Sequence, residues 1–299
     1  MKVIDQEVTN LYSIYNGDSC ELIKAIPSDS IHYCIYSPPF SSLYTYSNSD
    51  RDLGNVRTNN EFYQHFGFLS SELFRVMMPG RLMSVHCMNL PSSKERDGVI
   101  GLKDFRGDLI RLFQQCGFIY HSEVVIWKDP VTAMTRTKAL GLLHKQLKKD
   151  SCRSRQGIPD YIITFRKNAD NPEPVTHTNE SFPVDKWQNY ASPIWFDINQ
   201  SDTLQKESAR ANEDERHICP LQLDVIRRCL ELWTNPNDIV LDPFAGIGST
   251  GYEAIKMGRR FIGFELKESY YNQAVGNMKN AEKELKKPKQ TELNIFEDN

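Results

Sequence analysis

Residues Ile239 to Thr250 read Ile-Val-Leu-Asp-Pro-Phe-Ala-Gly-Ile-Gly-Ser-Thr, and no other stretch restricts the fold of this chain as much. Aliphatic residues run up to Asp242, a loop carries Gly246 and Gly248, and Ser249 and Thr250 open a segment with Ala, Ile and Met. The pattern predicts strand, tight turn, helix. Glycine suits the turn because a missing Cβ frees the backbone dihedrals and lets a ligand lie against the chain. In a doubly wound α/β sheet, such a turn at the carboxyl end of a strand binds a nucleoside cofactor. Phe261 to Glu265 is a second short apolar strand ending in an acid, and a carboxylate there can accept both hydroxyls of a ribose. No Lys follows the glycines, so this is not a Walker-type phosphate loop.

Near the amino end, a strand over Leu11 to Tyr15 leads to Asn16-Gly17-Asp18-Ser19, where Asp18 is placed to cap a short helix ending near Pro27. Ile31 to Tyr36 is an apolar strand that delivers Ser37-Pro38-Pro39-Phe40. Two prolines fix the backbone and remove two N–H donors, leaving carbonyls aimed in set directions. Chemistry on an exocyclic amine needs such acceptors for its hydrogens, and an aromatic face for its ring. Ser41 to Asn60 reads as a long loop beside the site. Helical spacing covers Glu61 to Met78, stopping at Pro79-Gly80, then Asp104 to Cys116, His217 to Trp233 and Ser269 to about Leu285. Further strands are expected at Arg81 to Cys87, Phe118 to Trp127 and Asp160 to Phe165, the last two pairing antiparallel to close the sheet edge.

A net charge of −3 does not by itself mark a nucleic-acid binder, but its distribution does. Between Lys128 and Lys167 ten Lys/Arg stand against three Asp, a local charge of about +7 in an otherwise acidic chain. Arg136, Lys138, Lys145, Lys148, Lys149, Arg153 and Arg155 are the candidate contacts to phosphate. Seven scattered cysteines without a Cys-x-x-Cys pair read as reduced core thiols, and no cluster suggests a metal. No apolar run reaches membrane-spanning length and no signal-peptide pattern opens the sequence, so a cytoplasmic protein without a membrane partner is expected.

Asp242-Pro-Phe-Ala-Gly-Ile-Gly-Ser-Thr250 resembles motif I of the amino-group DNA methyltransferases, Glu265 their motif II acid, and Ser37-Pro38-Pro39-Phe40 their motif IV. Gly17-Asp18-Ser19 resembles the segment that contacts the cofactor's adenine, compatible with the capping role of Asp18, and His217-Ile-Cys-Pro220-Leu221-Gln resembles motif X. The catalytic motif precedes the cofactor motif, as in the beta class. The resemblance implies a Rossmann-like, doubly wound α/β fold: a circularly permuted seven-stranded sheet with an antiparallel edge hairpin. It implies S-adenosyl-L-methionine as cofactor, held by Asp18, His217, Pro220, Leu221, Asp242, Phe244, Gly246, Gly248, Ser249, Thr250 and Glu265. Ser37, Pro38, Pro39 and Phe40 would be catalytic, on a base flipped out of double-stranded DNA. Serine at the head of motif IV is typical of enzymes making N4-methylcytosine; N6-methyladenine is the alternative, and a catalytically silent DNA-binding module is the alternative of another class. The expected division is a catalytic half over 1–127, a basic and target-recognition region over 128–215, with Asn168 to Gln188 and Lys128 to Arg155 as candidates, a cofactor half over 216–285 and a tail over 286–299. In that tail Gln290 to Phe296 resembles the peptide by which bacterial proteins bind the replicative sliding clamp. A restriction enzyme partner and a prokaryotic or phage source complete the expectation.

Overall fold

A computed structural model describes residues 3–39, 59–92, 94–137, 140–204 and 221–286. Nine strands form its main sheet: β1 (Asp5–Val8), β2 (Tyr12–Asn16), β3 (Ile31–Tyr36), β4 (Met77–Cys87), β5 (Phe118–Ile126), β6 (Asp160–Lys167), β7 (Ile194–Trp195), β8 (Ile239–Asp242) and β9 (Arg260–Glu265). Their order is β1-β2-β9-β8-β3-β4-β6-β5-β7. The five strands from β2 to β4 are parallel, and β6 runs antiparallel to both β4 and β5. The last two strands of the chain thus slot between the first of the parallel set and β3, which is the circular permutation expected from the motif order.

Strand periodicity builds the two layers, because successive side chains point to opposite faces. Cys34 and Tyr36 of β3 pack under α1 (Asn59–Val76) and α2 (Phe105–Gln115), whose Phe62, Phe66, Leu69, Leu73, Leu109 and Phe113 are fully buried. Tyr33 and Ile35 face the other way, toward α3 (Leu223–Trp233), α4 (Ser249–Lys256) and α5 (Glu268–Lys286). Each buried Leu or Phe contributes about 1.5–3 kcal/mol, so both layers are secured along their length. No helix among the described residues is long and apolar enough to cross a membrane.

Three local expectations are corrected. The strand expected from Arg81 begins at Met77: Pro79-Gly80, which read as a stop, lies inside β4, where Gly80 takes φ +69 and the pairing with β3 shifts register between Ile31 and Tyr33. A side chain at Gly80 would collide with Asn171, so glycine is required there. Next, the hairpin of β5 and β6 does not close the sheet, because β7 pairs parallel outside β5. At the other edge β1 pairs antiparallel with β2, and the seven expected strands become nine. The basic segment, read from sequence for its charge alone, holds short helices at Pro130–Thr137 and His144–Lys149.

Candidate active site

The carboxyl ends of β2, β9, β8 and β3 lie side by side, and the segments singled out from sequence gather there. Asp242 ends β8 and is 4% exposed; its Oδ1 accepts from Phe244 N at 2.9 Å. Burial pushes its carboxyl up to about 7, with the Thr250 hydroxyl and the Phe244 N–H pulling the other way. Gly246 and Gly248 take φ +55 and +84, and Gly248 lies so close to α5 that a Cβ would stand 3.1 Å from the Ala274 methyl. From the same helix, Asn277 Nδ2 donates to Ile247 O at 2.8 Å and fixes the turn.

Glu265, at the end of β9, is gripped by backbone. Its Oε2 accepts from Gly246 N and its Oε1 from Lys267 N, each at 2.8 Å. Asn16 ties the end of β2 to this corner, donating from Nδ2 to Glu265 O at 2.8 Å and to Leu266 O at 3.1 Å. Asp18 accepts from Cys20 N at 2.9 Å as the cap of the Ser19–Leu22 turn, and Ser19 Oγ donates to Pro243 O. Two buried oxygens in this corner, Asn16 Oδ1 and Ser249 Oγ, have no partner among the described residues. Unpartnered buried acceptors and hydroxyls are costly, and a polar ligand would relieve them. Together with two Cβ-free positions and an anchored carboxylate, they suit a nucleoside with a ribose diol.

Ser37 follows β3, which pairs with β8 through Tyr33↔Val240 and Cys34↔Leu241. The serine and the glycine turn therefore leave neighbouring strands at the same end of the sheet. Thr250 Oγ1 lies 3.5 Å from Ile35 O, and the rings of Tyr36 and Phe244 are 5.7 Å apart. Phe244 also stacks on Phe66 at 6.2 Å, so its ring packs in the core. Leu221 is buried in the layer of α3, and Pro38 is buried next to Ser37.

Sequence reasoning missed three residues behind Ser37. Its Oγ is 2.8 Å from His86 Nδ1; His86 Nε2 is 3.1 Å from Asp160 Oδ2; and Lys128 Nζ donates to Asp160 Oδ1 at 2.5 Å. Burial works against ionisation of Asp160, yet His86 and Lys128 together hold its carboxyl below the ordinary carboxylate range. Strand positions alone bring the pair only to the same end of the sheet, His86 near the end of a parallel strand and Asp160 at the start of an antiparallel one; the register that makes them meet is not in the sequence.

The basic segment leaves β5 and returns to β6 at this same end. Lys145, Lys148, Lys149 and Arg153 are exposed, while Arg155 is half-buried and donates to Gln156 O at 2.9 Å. Lys128, counted with the surface charge, is spent on Asp160; Lys167 is spent on Asp29 and Met77 O, and Arg166 on Gly80 O and Ala169 O. Arg136 falls in the Pro130–Thr137 helix. Asn168 to Gln188 starts from the far end of the sheet, where Arg81 donates to Glu173 O at 2.8 Å, Asn235 Oδ1 accepts from Thr176 N at 3.3 Å and His177 Nε2 lies 3.1 Å from Leu232 O. Phe40, Lys138, His217, Pro220 and the Gln290 to Phe296 peptide lie outside the described residues.

Comparison with known proteins agrees with this fold. The M.MjaI type II methyltransferase of Methanocaldococcus jannaschii is 23% identical over 291 residues, which span 88% of this chain and 89% of the relative. A DNA modification methylase of Thermus thermophilus, solved in complex with S-adenosyl-L-methionine, superposes with a TM-score of 0.66 at 22% identity, covering 92% of this chain and 94% of that one. The cytosine-N4-specific PvuII DNA methyltransferase superposes with a TM-score of 0.65 at 19% identity, covering 92% and 90%. Residues 31–276 match the model of the N6/N4 DNA methylases, and this chain belongs to that family.

Proposed function

We propose that the chain transfers a methyl group from S-adenosyl-L-methionine to the exocyclic N4 amine of a cytosine flipped out of duplex DNA. The observation that carries this reading is Ser37, a neutral hydroxyl at the end of β3 beside the glycine turn after β8. When bound, S-adenosyl-L-methionine supplies an electrophilic methyl on its sulfonium. Glu265 holds the ribose, and Gly246, Gly248 and Asp242 shape the turn against which the nucleoside lies. An aromatic amine is a poor nucleophile because its lone pair is delocalised into the ring. Ser37 Oγ and the Pro38 carbonyl accept its hydrogens, which concentrates density on nitrogen as it attacks, and acceptors already aimed there need no reorganisation. By placing the amine on Ser37 and Pro38 and the nucleoside on Glu265 and the glycine turn, these residues would supply much of the remaining acceleration through orientation. Phe40 stacks on the flipped base.

Serine, not aspartate, in the catalytic tetrapeptide favours cytosine over adenine. Nucleoside mass spectrometry of DNA from cells expressing the protein tests it: N4-methylcytosine is expected, N6-methyladenine would move the reading to the other base, and neither would leave a silent DNA-binding module. A Ser37→Ala control ties the product to this site.

The duplex lies across the basic segment, with Lys145, Lys148, Lys149 and Arg153 on phosphates. Each contact removed lowers the salt slope of binding by about one. The Gln290 to Phe296 peptide docks a sliding clamp, and deletion from Lys289 abolishes co-purification; failure of the isolated peptide to bind ends that idea. A cognate restriction enzyme and cytoplasmic action follow from the same reading.

A further inference from the structure

The amine that gains a methyl must lose a proton, and a serine hydroxyl cannot keep it, since a protonated alcohol is far too acidic. The structure holds a second acceptor directly behind the serine. His86 Nδ1 is 2.8 Å from Ser37 Oγ, and its other nitrogen faces Asp160, which is itself tied to Lys128. The Asp160 carboxylate lies 3.1 Å from Nε2 in an ion-pair contact that does not meet hydrogen-bond geometry, and its charge favours the ring proton on that nitrogen; in that tautomer Nδ1 is the acceptor and Ser37 the donor between them. Ser37 Oγ then presents its lone pairs to the substrate amine.

We propose that Ser37, His86 and Asp160 form a proton relay in which His86 takes up the proton released by the methylated amine. The proposal rests on amino-methyl transfer at Ser37 and on no choice of base. As the N–CH3 bond forms, the S–CH3 bond breaks and its electron pair stays on sulfur. The amine N–H proton passes to Ser37 Oγ while the hydroxyl's own proton passes to His86 Nδ1. Ser37 ends as it began, and His86 ends as an imidazolium facing the Asp160 carboxylate. Loss of that proton to solvent resets the site. Because His86 acts through Ser37, it is a positioning residue that also holds a proton.

Among the described residues, the groups facing the His86 ring are Ser37 from the end of β3 and Asp160 from the start of β6, with Lys128 behind it. One pleat back on the same face, Ser84 is engaged with Tyr33 at 2.7 Å and Thr164 at 2.9 Å. The layer of α3 brings Arg228, paired with Asp197 and lying over the Trp195 ring. Cys87, Tyr161 and the Arg106–Glu123 pair lie through the sheet on the opposite face. Among the described residues, the His86 imidazole is thus the ring on this face that both touches Ser37 and has a counter-charge for its protonated form.

The test is the single-turnover rate of methyl transfer against pH, with cofactor affinity measured alongside. In the parent protein an acid limb is expected, because a protonated His86 can neither accept from Ser37 nor take a further proton. His86→Asn keeps an oxygen near the place of Nδ1, able to accept from Ser37 but unable to hold a proton. Its rate should fall on the order of 10²-fold with the acid limb gone and cofactor binding retained. Asp160→Asn keeps the imidazole and removes its counter-charge, so the limb should move to lower pH and the rate should fall. An His86→Asn rate within about threefold of the parent, or an acid limb unchanged in both variants, would overturn the relay. A parent protein that methylates adenine leaves the test intact, whereas one that methylates no DNA contradicts the underlying reading instead.

Discussion

The two strand ends that the proposed function makes the walls of one site treat their buried acids in opposite ways. At the proposed cofactor end, Asp242 has only dipoles close by among the described residues, the Phe244 N–H and the Thr250 hydroxyl, and burial lifts it to about 7. On the catalytic wall Asp160 is 3% exposed and as deeply placed, but it lies between His86 and Lys128, which hold it low. Both are acids at strand ends, Asp242 closing β8 and Asp160 opening β6, and burial alone does not separate them. Their neighbours do: the acid supplied with cations serves as a fixed charge, while the acid supplied only with dipoles keeps capacity for what arrives. A third buried acid, Asp238 at the far end of the sheet, is paired with Arg81.

The largest expected effect is on stability. Asp160→Ala leaves His86 and Lys128 facing each other without a counter-charge and should cost about 3–5 kcal/mol in a denaturant titration, as removing one partner of a buried ion pair does. A loss no larger than that of Asp242→Asn would break the contrast between the walls. Next comes catalysis: Ser37→Ala should slow methyl transfer by about 10²–10³-fold, roughly 3–4 kcal/mol of barrier, while calorimetry finds cofactor affinity nearly unchanged. Smaller again, Glu265→Gln should weaken cofactor binding on the order of tenfold, since one charge-assisted bond is lost and the turn keeps its other contacts.

The smallest effect separates the acids by pH. Asp242 is raised from an ordinary 3.8 to about 7, so the folded state binds the extra proton between those values. Its contribution to stability is present below the unfolded value and is lost as pH rises through about 7. Asp160 is depressed below 3.8, so its contribution is present above that value and is lost as pH falls through its folded one. Asp242→Asn should flatten the decline in stability between about pH 4 and 7 at a cost of about 1 kcal/mol or less, followed by melting temperature across that range.

What was legible in the sequence was local. Ser37, Asp242, Gly246, Gly248 and Glu265 each lie in a short strand-and-turn pattern, and the order of those patterns gave the permuted sheet. The relay was not legible, because it depends on register: His86 meets the start of β6 only because β4 pairs Cys87 with Tyr161. The extra edge strand β7 has two residues, too few to show a period, and within it and just after it Trp195 is 1% exposed and Phe196 63%. Pro79-Gly80 carries the signature of a stop, and tertiary pairing made it a bulge inside β4 instead. Asn168 to Gln188 is a candidate by the family resemblance, which gives its place along the chain and not the end of the sheet it covers.

The central claim is that Ser37 and the glycine turn wall one cavity, one presenting an amine and the other a methyl donor. A crystal structure of the protein with S-adenosyl-L-methionine tests it most directly. The account predicts the ribose on Glu265 and the sulfonium methyl pointing at the space beside Ser37 Oγ, where an amine nitrogen would sit about 3–3.5 Å from the methyl carbon. A cofactor bound elsewhere, or bound here with its methyl turned away from Ser37, would contradict it.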